Sequence, residues 1–140
     1  AVPTPAAEAP ARRWITEYAP TERTAGRGLD LAVTEFLTQR LVGVIQLAKT
    51  NWHVRSTELS YIIAPWARGE GYASEAAHAA LEFAVEDRGL DRVVSIARIG
   101  NDASENVMRK LGMTPERETT HPVHGHPLRV HAIDLTEYQA

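Results

Sequence analysis

The sequence predicts a mixed α/β domain: a mostly antiparallel sheet with a central parallel pair, and helices packed on both faces. Three observations predict it. Short apolar, β-branched runs recur along the chain; two segments carry helical periodicity; and each of those two lies between strands. The order reads strand, strand, strand, helix, strand, helix, strand, strand. At 140 residues and 44% apolar content the chain has the size and the means to bury one core.

Residues 1–10 form a Pro/Ala-rich lead-in with little periodicity. Residues 8–18 are expected to form a short helix, with Ala11, Trp14, Ile15 and Tyr18 on one face and Pro20 ending it. The apolar runs 29–37 and 41–48, joined by Thr38, Gln39 and Arg40, predict a hairpin. Residues 49–55 read as a polar loop, and 58–64 as a strand stopped by Pro65.

The clearest helix is 74–88. Ala76, Ala77, Ala80, Leu81, Ala84 and Val85 form its apolar stripe, Glu75, Glu82, Glu86 and Asp87 lie off it, and Gly89 stops it. Residues 92–99 read as a buried strand. A second helix over 102–111 starts from Asn101 as cap and ends at Gly112. Residues 113–119 and 128–135 make a last strand pair. The stretch 58–99 is a βαβ unit, so its two strands are expected to be parallel with a right-handed crossover.

Composition excludes several functions. With no cysteine there is no disulfide, thiolate metal site or cysteine nucleophile, which fits a reducing, cytoplasmic setting. A net charge of −3 gives no support to nucleic-acid binding. No run is long enough to span a membrane and nothing reads as a signal peptide. The first residue is Ala1 rather than Met, so a processed or trimmed start is expected.

The informative stretch runs from Pro65 to Ser74, between a strand and the best helix. Gly69 and Gly71 allow φ > 0 and close approach of a ligand. The first amides of a helix lack partners within it, and the dipole favours an anion there. With Arg68 adding positive charge, the turn reads as a pyrophosphate cradle; a tight turn without ligand is the open alternative. A Rossmann turn needs a third glycine where Ala73 and Ser74 stand, and an acid after the next strand, which instead ends Arg98-Ile99-Gly100-Asn101. No Gly-Lys-Ser/Thr follows for a P-loop.

Arg68-Gly69-Glu70-Gly71-Tyr72-Ala73 matches the Gln/Arg-x-x-Gly-x-Gly/Ala motif of GNAT acetyltransferases. The preceding Glu58 to Trp66 resembles the strand that leads into it. Asn101-Asp102-Ala103-Ser104 and Met108 to Met113 resemble the family's Asn-x-x-Ser and Leu-Gly-Phe signature. The resemblance runs from about Leu29 to the end. It is similar to the branch of ribosomal-protein N-terminal acetyltransferases, which also includes enzymes for small amines.

The resemblance implies a GNAT-like fold in a single domain, 1–140, with an acetyl-CoA-binding core over 58–113. The strand and helix with which the family begins are missing or shortened. It implies that backbone groups of Ile62, Ile63 and Ala64 bond the pantetheine arm, the Ile63 amide polarising the thioester. Arg68, Gly69, Glu70, Gly71, Tyr72, Ala73 and Ser74 hold the pyrophosphate, with Asn101 as cap or coenzyme contact. The implied reaction is direct attack of an amine on acetyl-CoA without a metal, with Glu58 as base and Ser104 as donor to the thiolate. Ser104 as a helix-start residue and Glu58 as an exposed carboxylate are the structural alternatives. Tyr61 reads as core, with a place lining the acceptor site as the alternative. His121, His124 and His126 are read as a polar hairpin loop beside the acceptor rather than a metal site, His53 (next to Trp52) as cleft rim, and His78 as surface. The implied partner is an amine acceptor; the 29–37 edge is expected to be covered either by a second subunit in a homodimer or by residues 2–10 folding back over it. A non-catalytic coenzyme A-binding module is the alternative function.

Overall fold

The computed structural model describes Glu17 and residues 19–136. The elements are α1 (Ala19–Thr24), β1 (Leu29–Thr34), β2 (Leu41–Asn51), β3 (Ser56–Ile63), a 3₁₀ turn (Pro65–Ala67), α2 (Tyr72–Glu86), β4 (Arg92–Arg98), α3 (Asp102–Lys110), β5 (Thr114–Thr120) and β6 (Pro127–Asp134). The lead-in and nearly all of the helix expected over 8–18 lie outside the described residues. Pro20 sits in the first turn of α1, where its missing N–H costs nothing.

Among the described residues the sheet has six strands, in the order β1-β2-β3-β4-β6-β5. Of these, only β3 and β4 are parallel neighbours; the other adjacent pairs are antiparallel. Two crossovers generate this order. One runs from β3 through α2 to β4. The other runs from β4 through α3 to β5, which is parallel to β4 because both are antiparallel to β6. Both step the same way along the sheet, and right-handed crossovers that step the same way put their helices on the same face. α2 and α3 therefore share one face.

That face holds the core. Ile45 and Leu47 of β2, Leu59 of β3, Val93 and Ala97 of β4 and Ile133 of β6 meet Ala77, Ala80, Leu81 and Ala84 of α2 and Met108 of α3. The alanine stripe lets α2 lie close to the sheet. On β3, Thr57, Leu59, Tyr61 and Ile63 point to this face, and Glu58, Ser60 and Ile62 to the other.

Boundaries moved for local reasons. β2 continues through Lys49 to Asn51, residues read as loop, because Asn51 still pairs with Ser56. β1 stops at Thr34, and residues 35–40 form its turn, closed by the Glu35 amide on the Arg40 carbonyl. α2 starts two residues early because Gly71, at φ 83°, serves as its N-cap.

One irregularity shapes the site. The β3–β4 ladder covers only Ser56 with Arg92, Thr57 with Val93 and Glu58 with Val94. Next, the Ser95 hydroxyl donates to the Leu59 carbonyl at 2.8 Å, so a side chain takes the place of the backbone. From there β3 stays with β2 and β4 with β6, and the two strands part.

Candidate functional site

The gap between β3 and β4 opens toward the C-terminal ends of both strands, where α2 and α3 begin. Backbone direction along β3 decides what faces the gap. The Ala64 amide donates to the Val42 carbonyl at 2.7 Å, and the Ile62 carbonyl points at Gly43, where a Cβ would run into it. Groups of Ile62 and Ala64 thus belong to β2, and alternation turns those of Tyr61 and Ile63 toward the gap. The Ile63 amide thus faces the gap, whereas the Ile62 carbonyl and the Ala64 amide face β2, against the expectation for those two residues. The Ile63 carbonyl is already taken, accepting from Arg68 Nε at 3.1 Å.

The turn after β3 has the features of an anion cradle. Gly69 and Gly71 both sit at φ 83°, and no atom lies within 4 Å of the position a Cβ would take on either. The first backbone bond of α2 runs from the Glu75 amide to the Gly71 carbonyl, and no side chain caps the helix. The amides of Tyr72, Ala73 and Ser74 therefore have no acceptor within α2. Arg68 stands beside them, its Nε anchored on the Ile63 carbonyl and its two terminal nitrogens left for a ligand; Glu70 is exposed.

Two contacts brace this turn from the β1–β2 hairpin. Tyr72 donates to Glu35 Oε2 at 2.6 Å, and Arg40 lies over the Trp66 ring at 4.1 Å. The Tyr72 hydroxyl, followed by Thr38, holds the Glu35 carboxyl below the usual glutamate range; Glu35 in turn pushes the Tyr72 phenol up. The Tyr72 side chain is thereby tied to the hairpin, leaving only its backbone for the cradle. Sequence reading gave no signal for Glu35, because nothing local marks a contact that spans 37 positions.

At the mouth of the gap, Asn101 is the N-cap of α3, its Oδ1 accepting from the Ser104 amide at 3.2 Å. Asn101 does the capping, so the Ser104 hydroxyl is not spent on the helix start. It faces Tyr61 Oη across the gap at 3.4 Å. Tyr61 packs its ring against the core as expected, yet its hydroxyl reaches the site.

Glu58 lies at the closed end of the gap on the face away from the helices, 25% exposed, with Lys49 Nζ 3.7 Å from its carboxylate. The three loop histidines come together: the ring of His121 is 4.7 Å from those of both His124 and His126. His121 Nδ1 accepts from the amides of Val123 and His124, which closes the turn and removes that nitrogen as a ligand. Among the described residues no group of three or more His, Asp or Glu is placed to hold a metal ion. Burial first, then the charges of Arg98, His121 and His124, keep His126 below the ordinary histidine range. The Ile99 amide bonds the Pro127 carbonyl at 3.1 Å, so this loop stands at the same end of the sheet as Asn101. His53 does not: its turn joins β2 to β3 at the far end from the cradle. His78 is half-buried on α2 rather than on the surface.

A strand pair that parts beside a glycine turn, with a helix start on each side, defines the class. The Acetyltransferase (GNAT) domain model matches residues 1–114, and the chain belongs to the GNAT acetyltransferase family. It is 32% identical over 106 residues to the uncharacterized protein YkkB of Bacillus subtilis, covering 73% of this chain and 59% of that one. It is 37% identical over 59 residues to the uncharacterized N-acetyltransferase YnaD of the same organism, covering 42% and 35%. It is 30% identical over 79 residues to the spermidine N(1)-acetyltransferase of Escherichia coli K12, covering 56% and 42%. The chain thus spans between 35% and 59% of the length of these relatives. Among solved structures, the spermidine N-acetyltransferase of Vibrio cholerae in complex with CoA and spermine shares the fold, with a TM-score of 0.81 at 19% identity, over 89% of this chain and 75% of that one.

Proposed function

We propose that this domain transfers an acetyl group from acetyl-CoA to a primary amine by direct attack. The observation that carries the reading is the gap after Glu58 and Val94, at whose open end stand three helix-start amides without acceptors inside the helix. An extended amide-bearing arm ending in a pyrophosphate fits those donors: backbone groups of Tyr61 and Ile63 meet the arm, and Arg68 to Ser74 meet the phosphates. The coenzyme-binding core is then 58–113, with Asn101 holding the start of α3.

The residues divide the proton work. The amine must lose a proton, which Glu58 takes from the face away from the helices, directly or through water. The thiolate must gain one, which Ser104 gives from the helical face. The Ile63 amide donates to the thioester oxygen as negative charge grows there. No step draws on a metal.

A small cationic amine as acceptor is supported by the spermidine acetyltransferases among the relatives and by the CoA and spermine complex of the shared fold. A protein N-terminus, the acceptor of the ribosomal-protein branch, is the other acceptor class within this reading. The reading also keeps a cytoplasmic setting and a homodimer formed through β1, which is an unpaired sheet edge among the described residues; light scattering at high micromolar concentration tests the dimer. Calorimetric titration with acetyl-CoA, followed by thiol release with a panel of primary amines, tests the function. Binding without release from any amine would favour the coenzyme-binding module.

A further inference from the structure

We infer that Tyr61 is a positioning residue for thiolate protonation, its hydroxyl acting through Ser104 to supply the proton that the departing sulfur takes up. The inference rests on the acetyltransferase reading and goes beyond it by assigning a function to a side chain that packing alone does not require.

Four observations carry it. Tyr61 lies three positions past the last β3–β4 ladder pair, on the helical face, where the strands have already parted. Its ring is held by residues of both core clusters, so its hydroxyl has a fixed direction. That hydroxyl ends 3.4 Å from Ser104 Oγ, spanning from β3 to the first turn of α3. Ser104 is free to take part because Asn101 already satisfies its amide. The distance is long for two hydroxyls, as expected of a pair that closes up when substrate fills the site.

The chemistry balances. As the bond between carbonyl carbon and sulfur breaks, its electron pair goes to sulfur. Sulfur takes the hydroxyl proton of Ser104, and Ser104 Oγ takes that of Tyr61. The phenolate left on Tyr61 recovers a proton from water, while the proton lost by the amine leaves through Glu58 on the opposite face. A serine alone is a poor acid, since its alkoxide has no way to shed charge; a phenol behind it provides one. The start of α3 adds a favourable dipole for negative charge on Ser104.

The test is a double-mutant cycle of Y61F and S104A, with acetyl-CoA as donor and spermidine, putrescine and benzylamine as acceptor probes. The readouts are kcat by thiol release and acetyl-CoA affinity by calorimetry. Each single variant is expected to lose on the order of 10²-fold in kcat, with affinity within about twofold of wild type. The double variant should lose no more than the worse single one, because both act on one proton. Losses that multiply, or a Y61F loss that falls on affinity instead of kcat, overturn the inference. If Phe at this position melts the fold, fluorotyrosine incorporated at position 61 keeps the packing and makes the phenol more acidic. Its kcat must then differ from wild type, and an unchanged kcat overturns the inference. A wild type that releases no thiol with any probe overturns the acetyltransferase reading and this inference together; an active wild type with multiplying losses overturns the inference alone.

Discussion

Replacing Gly71 by alanine is the most informative perturbation of the cradle. Gly71 is the N-cap of α2 at φ 83° and ψ 5°, a left-handed conformation that costs an L-residue about 1–2 kcal/mol. No atom lies within 4 Å of the new Cβ, so the cost is backbone strain and not a clash. Alanine sheds that strain by relaxing away from the left-handed angle, which swings the amides of Tyr72, Ala73 and Ser74 off their common target. Ligand binding must then restore the strained form, so acetyl-CoA affinity should fall by a factor of about 5–30. Gly112→Ala is the control. Gly112 sits at φ 88°, past the C-terminal end of α3, and its Cβ would meet Ile133 Cδ1 at an ordinary 3.4 Å. It should lose similar stability with affinity unchanged. Calorimetry and thermal melts on both variants decide. Gly71→Ala binding acetyl-CoA as tightly as wild type, with the same loss in Tm as Gly112→Ala, would refute the cradle.

Three further outcomes are expected. Glu58→Gln should lower kcat most at low pH, where more of the amine is protonated, with acetyl-CoA affinity nearly intact; a uniform loss across pH would deny Glu58 the role of base. Tyr72→Phe removes the donor that holds the Glu35 carboxyl below its ordinary value of 4.5. A depressed carboxyl contributes stability that is fully present above that pH and lost as pH falls through the lower folded value. The Tm gap between wild type and variant should therefore be widest near neutral pH and shrink below about pH 4.5, and a gap that grows in acid would contradict the sign. Gly43→Ala should destabilise by about 1–3 kcal/mol in denaturant unfolding, because its Cβ would strike the Ile62 carbonyl and stand 2.8 Å from Ile63 Cδ1; unchanged stability would mean that β2 and β3 can slide apart freely.

Local chemistry was legible in the sequence. Gly69, Gly71, Asn101 and Gly112 took the conformations their neighbours implied, and the alanine stripe of α2 packs inward. The element order was right, and so was the parallel pair. The face shared by α2 and α3 is not legible in either helix, because it depends on which way each crossover steps, and that in turn depends on β6 inserting between β4 and β5. The sequence does not encode that insertion in any one segment. Glu35 was missed, and Tyr61 was weighed toward the core, for a related reason. Each joins the site through a contact 43 or 37 positions away, while the pattern around it says only half-buried strand or turn. Ile62 and Ala64 were assigned to the pantetheine arm as a block; the two-residue alternation of a strand lets only every second residue face the gap.

The central claim is that acetyl-CoA in this gap gives up its acetyl group to an amine. The direct measurement is acetyl-CoA titration of the wild-type protein, followed in the same sample by free-thiol release on adding spermidine and other primary amines. The account predicts saturable binding to one site per chain and thiol release that depends on the amine and rises with pH as more of it is neutral. Saturable binding with no amine-dependent thiol release would contradict catalysis, and no binding at all would contradict the site.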